Sequence, residues 1–511
     1  SLPCLQTLFL IFICNNQIFA GKFNSFIYKI LVAQTPCSGR SLQGESVVCV
    51  CNTTYCDQVI RTLPKPGNFV AYTSSKVSQK PRFYNDNCCS TNLVIDRNKQ
   101  FQSIEGFGGA VTDAAGINWK LLSAPLQQFL IDSYFSNTGL EYNTIRIPIG
   151  GSDFSTHPYS YNELPKNDAK LSNYSLTSED HLYKIPMIKE SLKASTSPVQ
   201  IIATTWSPPV WMKTNEAITG SSRLKEQYYQ TYADYHLKFL EKYKDEGINI
   251  WAITTTNEPV NGIVPIAHFN SLGWTPQSMT QWILRNLGPT IRNSKFNGTK
   301  ILALDDQRYM IPFFFNHMVE YNSSVLNYID GVAVHYYADF YTPASVLSSF
   351  AEKYPEKLLI ATEACEGSFP WETPKVIFGS WTRAEHYIND IIEDLNHYVS
   401  GWVDWNLCLS PEGGPNWAKN FVDSPIIVTN PNEFIKQPMY YAMGHFSKFI
   451  PRKSIRIGVK NKSWLSNIKA VAFQTPLNTT VIVLYNGISI GDQALKLKAE
   501  GSSIVTIEVK T

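Results

Sequence analysis

The chain has 511 residues, 44% hydrophobic and 13% aromatic, with a formal net charge of +2. That length exceeds a single compact core and predicts one large domain with smaller companions. The small net charge, with no Lys/Arg run interleaved with aromatics, excludes a phosphate-tracking surface, so no nucleic-acid partner is expected. Nine histidines in no H-x-x-x-H or C-x-x-C…H arrangement give no zinc-ligand spacing. Neither a metal nor another cofactor is expected.

In chain order, Leu5 to Cys14 (LQTLFLIFIC) is an apolar run too short to span a bilayer. It resembles the apolar core of a signal peptide, and residues 1–36 are expected to be a leader. Cys37, Cys49, Cys51 and Cys56 crowd into the next segment as a disulfide-stapled loop would, although four cysteines allow three pairings. A zinc knuckle is disfavoured because C-x-C with C-x-x-x-x-C lacks the ligand spacing. N-x-S/T sequons at Asn52, Asn173, Asn297, Asn322, Asn461 and Asn478, with these cysteines, point to the secretory pathway and a lysosomal or secreted product.

From Asn52 to about Lys99 the texture is strand-like, without helical periodicity. From about Phe101, eight short apolar runs alternate with helical stretches, the pattern of repeated βα units. The runs are Gln102–Ala110, Asn143–Gly150, Val199–Trp206, Ile248–Asn257, Lys300–Asp306, Tyr328–Tyr337, Lys357–Ala364 and Val399–Leu407. Eight predicts a closed (β/α)8 barrel, an α/β fold. Ser222–Glu246 and Thr382–Tyr398, with apolar residues at three- and four-residue spacing, are expected among its outer helices. After Pro451 apolar and polar residues alternate up to Asn486-Gly487, predicting an antiparallel β domain that the 52–99 segment joins as one sandwich.

Catalytic groups of such barrels stand at the C-terminal ends of strands. There Glu258, preceded by Asn257, ends the fourth run, and Glu363 ends the seventh. Their separation, 363 minus 258, is 105 residues, three βα units at roughly 35 residues each. Two carboxylates facing each other across the mouth are what glycoside cleavage needs. One protonates the leaving oxygen and the other attacks the anomeric carbon. The charge on the attacking carboxylate favours a proton on its neighbour, and that effect ends once the sugar ester forms, freeing the first glutamate to act as base. A lone strand-end Glu more often caps a helix or pairs with Arg; two on opposing strands reverse that balance.

Other strand ends supply Asp153, Trp206, His335, Tyr337 and Trp405, a mixture of carboxylate and aromatic faces that suits a pyranose. Asn257 can hydrogen-bond a sugar 2-hydroxyl, and Arg146 is expected to hold a carboxylate in place. Gly106-Phe107-Gly108-Gly109 lacks phosphate-loop spacing and is read as close strand packing. No G-x-S-x-G elbow supports a serine hydrolase.

Several segments are more specific. VVCVCNTTYCD (Val47 to Asp57), GFGGAVTDAA (Gly106 to Ala115), TTTNEP ending at Pro259, LDDQR (Leu304 to Arg308), TEACEGS (Thr362 to Ser368), PEGGPNWAKNFVDSPIIV and HFSKFIP all resemble glycoside hydrolase family 30, in its glucosylceramidase branch. The resemblance covers nearly the whole chain after residue 36. It implies a TIM barrel over 102–406 with 439–454, and a β sandwich over 62–101 with 455–511. It further implies a small disulfide-clipped sheet over 37–61 with 407–438, with pairs Cys37–Cys49 and Cys51–Cys56. Glu258 is then the acid/base and Glu363 the nucleophile, as the strand argument also has it. Asp153, Trp206, Asn257, Tyr337, Trp405 and Asn420 are the implied sugar contacts, with Arg146 and His335 supporting.

The same resemblance implies retaining hydrolysis of glucosylceramide at anionic membranes, without a transmembrane helix and with help from a saposin-type activator. Where the family pattern has Cys this chain has Ser152 and Ser271, and where it has Trp this chain has Tyr336. Cys88 and Cys89 are extra, and the 262–270 loop differs. Two other readings carry less weight: a family relative acting on another β-glycoside or β-glycan, or an inactive carbohydrate- or lipid-binding homologue, whose mark would be a missing glutamate.

Overall fold

The computed structural model describes residues 9–14, 17–20, 35–76, 90–264, 268–461, 468–486 and 502–510. Eight parallel strands close into a barrel in sequence order: β1 (Gly106–Ala110), β2 (Thr144–Ile149), β3 (Gln200–Thr205), β4 (Ala252–Thr254), β5 (Lys300–Gln307), β6 (Gly331–His335), β7 (Leu358–Glu363) and β8 (Gly401–Asn406). Seven of the eight expected runs contain one of them, the fifth strand runs one residue past its run to Gln307, and nearly every strand residue is buried, as a sheet covered on both faces requires. The first run is corrected at its start. Gln102 and Ser103 belong to Ser90–Ser103 of another sheet, and β1 begins only at Gly106.

The glycines of β1 do pack strands closely. A Cβ on Gly108 would fall 1.7 Å from the carbonyl oxygen of Thr144 on β2, and one on Gly109 would fall 2.7 Å from Leu407 Cδ2. Helices clothe the barrel. The expected Ser222–Glu246 helix runs Tyr229–Asp245, and the expected Thr382–Tyr398 helix runs Trp381–Asn396. In the latter Ser380 caps the start by accepting from the Arg383 N–H, and Ala384, Tyr387, Ile388, Ile391, Ile392 and Leu395 form one buried stripe.

A second, antiparallel sheet joins both ends of the chain. Its order is Gln17–Ala20, Phe9–Cys14, Ser90–Ser103, Ile455–Asn461, Ile468–Gln474, Thr479–Asn486, Ser503–Lys510 and Asn68–Ser75. The expected pairing of the early strand-like segment with the C-terminal strands is therefore present. Alternation makes both faces apolar: Val481, Val483 and Tyr485 join the barrel's core, while Ile482 and Leu484 join Leu93, Ile457, Val505 and Ile507 in a separate cluster. Apart from the backbone of these first two strands, the expected leader up to residue 34 lies outside the described residues, as do Cys88, Cys89 and Gly487.

Ile426–Asn430, Glu433–Lys436, Val47–Asn52 and Gly39–Ser41 make a small antiparallel sheet. It carries the disulfides Cys37–Cys49 and Cys51–Cys56, the pairing that the resemblance implied. Among the described residues no helix is long and apolar enough to cross a membrane.

Candidate active site

The barrel strands bring the expected glutamates together. Glu258 and Glu363 are 8% and 6% exposed, and each places a carboxylate oxygen within 4.8 Å of the other's and of a His335 ring nitrogen. Glu363 ends β7 and holds two partners: Arg146 Nη1 on its Oε2, and the Tyr337 hydroxyl on its Oε1 at 2.7 Å. Glu258 follows β4 with φ of 43°, a left-handed conformation that costs a non-glycine residue about 1 kcal/mol or more. Backbone bonds over-determine it: its N–H donates to the Asp305 carbonyl at 2.9 Å, and the Asn257 N–H donates to the Thr205 carbonyl at 2.9 Å.

The carboxylate of Glu258 is also fully engaged. Gln307 Nε2 and His335 Nδ1 both reach its Oε1 at 3.0 Å, and Asn261 Nδ2 donates to its Oε2. With two donors already on Oε1, a proton on this carboxyl belongs on Oε2, where the Asn261 amide can turn its oxygen inward to accept it.

Beneath both glutamates lies Asp305. Its Oδ2 accepts from Arg146 Nη2 at 2.9 Å, Thr254 Oγ1 at 2.8 Å and Thr204 Oγ1 at 3.1 Å; its Oδ1 accepts from Thr362 Oγ1 at 2.6 Å and His335 Nε2 at 3.0 Å. Burial would raise this carboxyl, but Arg146 and His335 hold it well below the usual carboxylate range. His335 thus bridges two carboxylates instead of facing open space. Burial pulls its pKa down, but the charge of Glu363 and the bonds to Asp305 and Glu258 carry it up to about 10, so the ring is an imidazolium. Both nitrogens face carboxylate oxygens, Glu258 Oε1 and Asp305 Oδ1, as two donors would.

Arg146 is 0% exposed and does more than the expected holding of one carboxylate. It spans Glu363, Asp305 and the side-chain Oδ1 of Asn257, the last at 2.8 Å. Asn257 is left with its amide N–H groups to offer. Trp206 and Trp405 stack on each other with centroids 5.2 Å apart, and both cover the Arg146 guanidinium, at 5.0 and 5.3 Å. Asp153 accepts from Asn420 Nδ2 at 2.8 Å. Burial and the charge of Glu363 raise Asp153 to about 7. Every expected site residue therefore converges on one end of the barrel.

Asp305, Gln307 and Asn261 were not singled out from sequence. The signal was the paired acids closing the fifth run: Leu304 and Asp305 both have positive φ, and the β5–β6 register shifts there. That bulge turns Asp305 under the site and leaves Asp306 beside Glu258, where burial and the Glu258 charge raise it to about 7. Tyr336, the departure from the family pattern, donates to Glu366 Oε1, while His386 Nδ1 meets the other oxygen at 3.1 Å.

Comparison with known proteins agrees with this geometry. The glycosyl hydrolase family 30 TIM-barrel model matches residues 104–450, and the family 30 β-sandwich model matches residues 453–511. Lysosomal acid glucosylceramidase of Mus musculus is 43% identical, over 88% of this chain and 89% of its own length. Endo-1,6-beta-D-glucanase BGN16.3 of Trichoderma harzianum is 27% identical, over 77% and 80%. The solved structure of the endo-beta1,6-glucanase BT3312 superposes with a TM-score of 0.73 at 25% identity, covering 87% of this chain and 100% of that one. Barrel, sandwich and facing glutamates together place the chain in glycoside hydrolase family 30.

Proposed function

We propose that the protein is a retaining β-glucosidase that splits glucosylceramide into glucose and ceramide, with Glu363 as nucleophile and Glu258 as acid and then base. The observation that carries this is the pair of carboxylates within 4.8 Å. Retaining enzymes hold theirs about 5–5.5 Å apart, whereas inverting ones leave roughly 6.5–9.5 Å for a water. The partners divide the roles. Arg146 and the Tyr337 hydroxyl both donate to Glu363, which favours the anion that attacks. Glu258 carries the proton on Oε2, delivers it to the glycosidic oxygen, and later takes one from the water that cleaves the glucosyl ester.

Asn257, with its carbonyl fixed by Arg146, offers its N–H to the sugar 2-hydroxyl, a bond that strengthens toward the transition state. The Asp153–Asn420 pair supplies further hydroxyl contacts. The mouse relative's name supports the lipid glucoside, and the disulfide clip supports passage through an oxidising secretory compartment to the lysosome. A saposin-type activator and anionic membrane belong to the same reading.

The test is covalent labelling of wild type, Glu363→Gln and Glu258→Gln by a cyclitol epoxide, alongside turnover of glucosylceramide, an alkyl β-glucoside and a β-1,6-glucan. Label should be lost only in Glu363→Gln, and Glu258→Gln should recover turnover on an aryl glucoside with an activated leaving group. Turnover of the glucan but not of the lipid would keep the chemistry and discard the substrate. Folded wild type inactive on all three would favour a binding protein.

A further inference from the structure

A cavity of about 650 Å³ adjoins the site through Tyr336, Cys365 and Glu366. At its wall three carboxylates face one guanidinium. Arg308, just after β5 and 1% exposed, faces Asp339 Oδ1 at 3.3 Å, Glu393 Oε2 at 3.0 Å and Asp394 Oδ1 at 3.5 Å. Asp339, Asp390 and Asp394 are all buried and bring carboxylate oxygens within 4.8 Å of one another. Trp402 Nε1 also donates to this trio, on Asp390 Oδ2 at 2.9 Å. One cation does not neutralise that many anions in a dry setting, and carboxyls this close resolve the conflict by sharing protons.

Asp339 lies on a different element from the other two. It opens the short turn Asp339–Tyr341 that follows β6, Tyr336 and Tyr337, whereas Asp390 and Asp394 lie on the Trp381–Asn396 helix. Phe340 and Tyr341 are 64% and 74% exposed, so the turn has little apolar anchorage. It is fastened by polar groups: Arg308 Nη2 donates to the Asp339 carbonyl at 2.6 Å, Arg308 Nε donates to the Thr342 carbonyl at 2.9 Å, and the Ala338 N–H donates to Gln307 Oε1 at 3.1 Å. Two residues before the turn, Tyr337 holds Glu363.

We propose that Asp339, Asp390 and Asp394 form a proton-dependent latch that fastens the 336–342 segment to the helix and so positions Tyr337 against Glu363. Its catalytic meaning rests on the role given above to Glu363; its structural meaning does not. With protons shared, one carboxyl donates to the next and the turn is held. Ionised, Asp339 is repelled by Asp390 and Asp394, and the turn loosens. The other charged groups facing the cluster are Arg308 from β5, Glu393 on the helix and His397 just after it. Glu366, Glu372, His386 and Lys469 line the adjoining cavity. Burial followed by mutual repulsion raises Asp339 and Asp394 well above their ordinary range, and burial raises Asp390 to about 6. Raised carboxyl values mean that the folded state gains protons, so the latch is complete in acid and weakens as pH rises through them.

The experiment is amide hydrogen exchange of the whole chain at about pH 5 and about pH 7.5, corrected for intrinsic rates, with aryl β-glucoside pH profiles of wild type, Asp394→Asn and Asp390→Asn/Asp394→Asn. Exchange across 336–342 should rise at least several-fold at the higher pH in wild type and stay level in the double variant. Its alkaline limb should move up by about one pH unit, a tenfold gain there. Exchange that ignores pH in wild type overturns the latch even if no variant folds. A folded variant whose alkaline limb superposes on wild type overturns the positioning of Tyr337. Wild type with pH-dependent exchange but no hydrolysis would instead defeat the glycosidase reading and leave the latch standing.

Discussion

Two buried clusters of carboxylates lie within a few residues of each other at the top of this barrel, and they are balanced differently. At the site Asp305, Glu258 and Glu363 stand against Arg146 and His335, while Asp153 and Asp306 close by are raised to about 7 by burial and the neighbouring glutamates. Beside it Asp339, Asp390, Asp394 and Glu393 stand against the single guanidinium of Arg308, with the His397 ring near Glu393. The first arrangement gives each facing glutamate its own cation, Arg146 for Glu363 and His335 for Glu258, which suits the division of roles proposed above. The second leaves a surplus of anions that only protons relieve. Similar side chains thus give chemistry in one place and pH sensitivity in the other, and the deciding factor is the number of cations.

The largest effect should come from unbalancing the first cluster at Glu363, the proposed nucleophile. Glu363→Gln removes attack altogether, and turnover should fall about 10⁴-fold or more. A loss under tenfold in steady-state kinetics would mean that another group attacks. Next come the two arginines. Arg146→Met and Arg308→Met each strand buried carboxylates, and each should cost about 3–5 kcal/mol in urea unfolding at neutral pH. Acid should rescue Arg308→Met, whose orphaned aspartates can all be protonated. It should not rescue turnover in Arg146→Met, where Glu363 must stay ionised.

The balance of the first cluster also has a pH signature. His335 titrates near 6.5 when unfolded and at about 10 in place. A group raised in this way contributes stability that is fully present below pH 6.5 and lost as pH climbs through 10. This contribution should fall by about 4–5 kcal/mol across that window. His335→Gln should already lack this contribution at neutral pH and show a flatter unfolding profile; equal slopes would remove the imidazolium from the account.

Much of the first cluster was legible in the sequence, and almost none of the second. The barrel strands stood out because buried parallel strands are continuous apolar runs, and Glu258 and Glu363 stood out because each ends such a run. Arg146, inside an otherwise apolar TIRIPI strand, was legible for the same reason. Asp305 and Gln307 were not, because their aim depends on the positive φ of Leu304 and Asp305, a backbone choice with no glycine to announce it. The start of β1 was misplaced because Gln102 and Ser103 still belong to Ser90–Ser103 and the chain changes sheets only at Ile104-Glu105, with no glycine or proline between the two strands to mark the break. Arg308, Asp339, Asp390 and Asp394 come from three separate segments, and the acids at 390 and 394 read as the wet face of a helix. Only the fold shows that they turn inward.

The smallest expected effect sharpens the same contrast. Glu393 also pairs with Arg308, at 3.0 Å, but its side chain is 43% exposed, whereas those of Asp394 and Arg308 are 2% exposed. Water screens it, and an exposed pair of this kind is worth about 0–1 kcal/mol. Glu393→Gln should therefore leave the urea midpoint nearly unchanged and leave the alkaline limb of turnover where it is, since the trio that shares protons remains intact. A shift as large as that of Asp394→Asn would mean that the surplus charge is felt by the cluster as a whole. The latch would then be a property of total charge around Arg308 and not of the three buried aspartates.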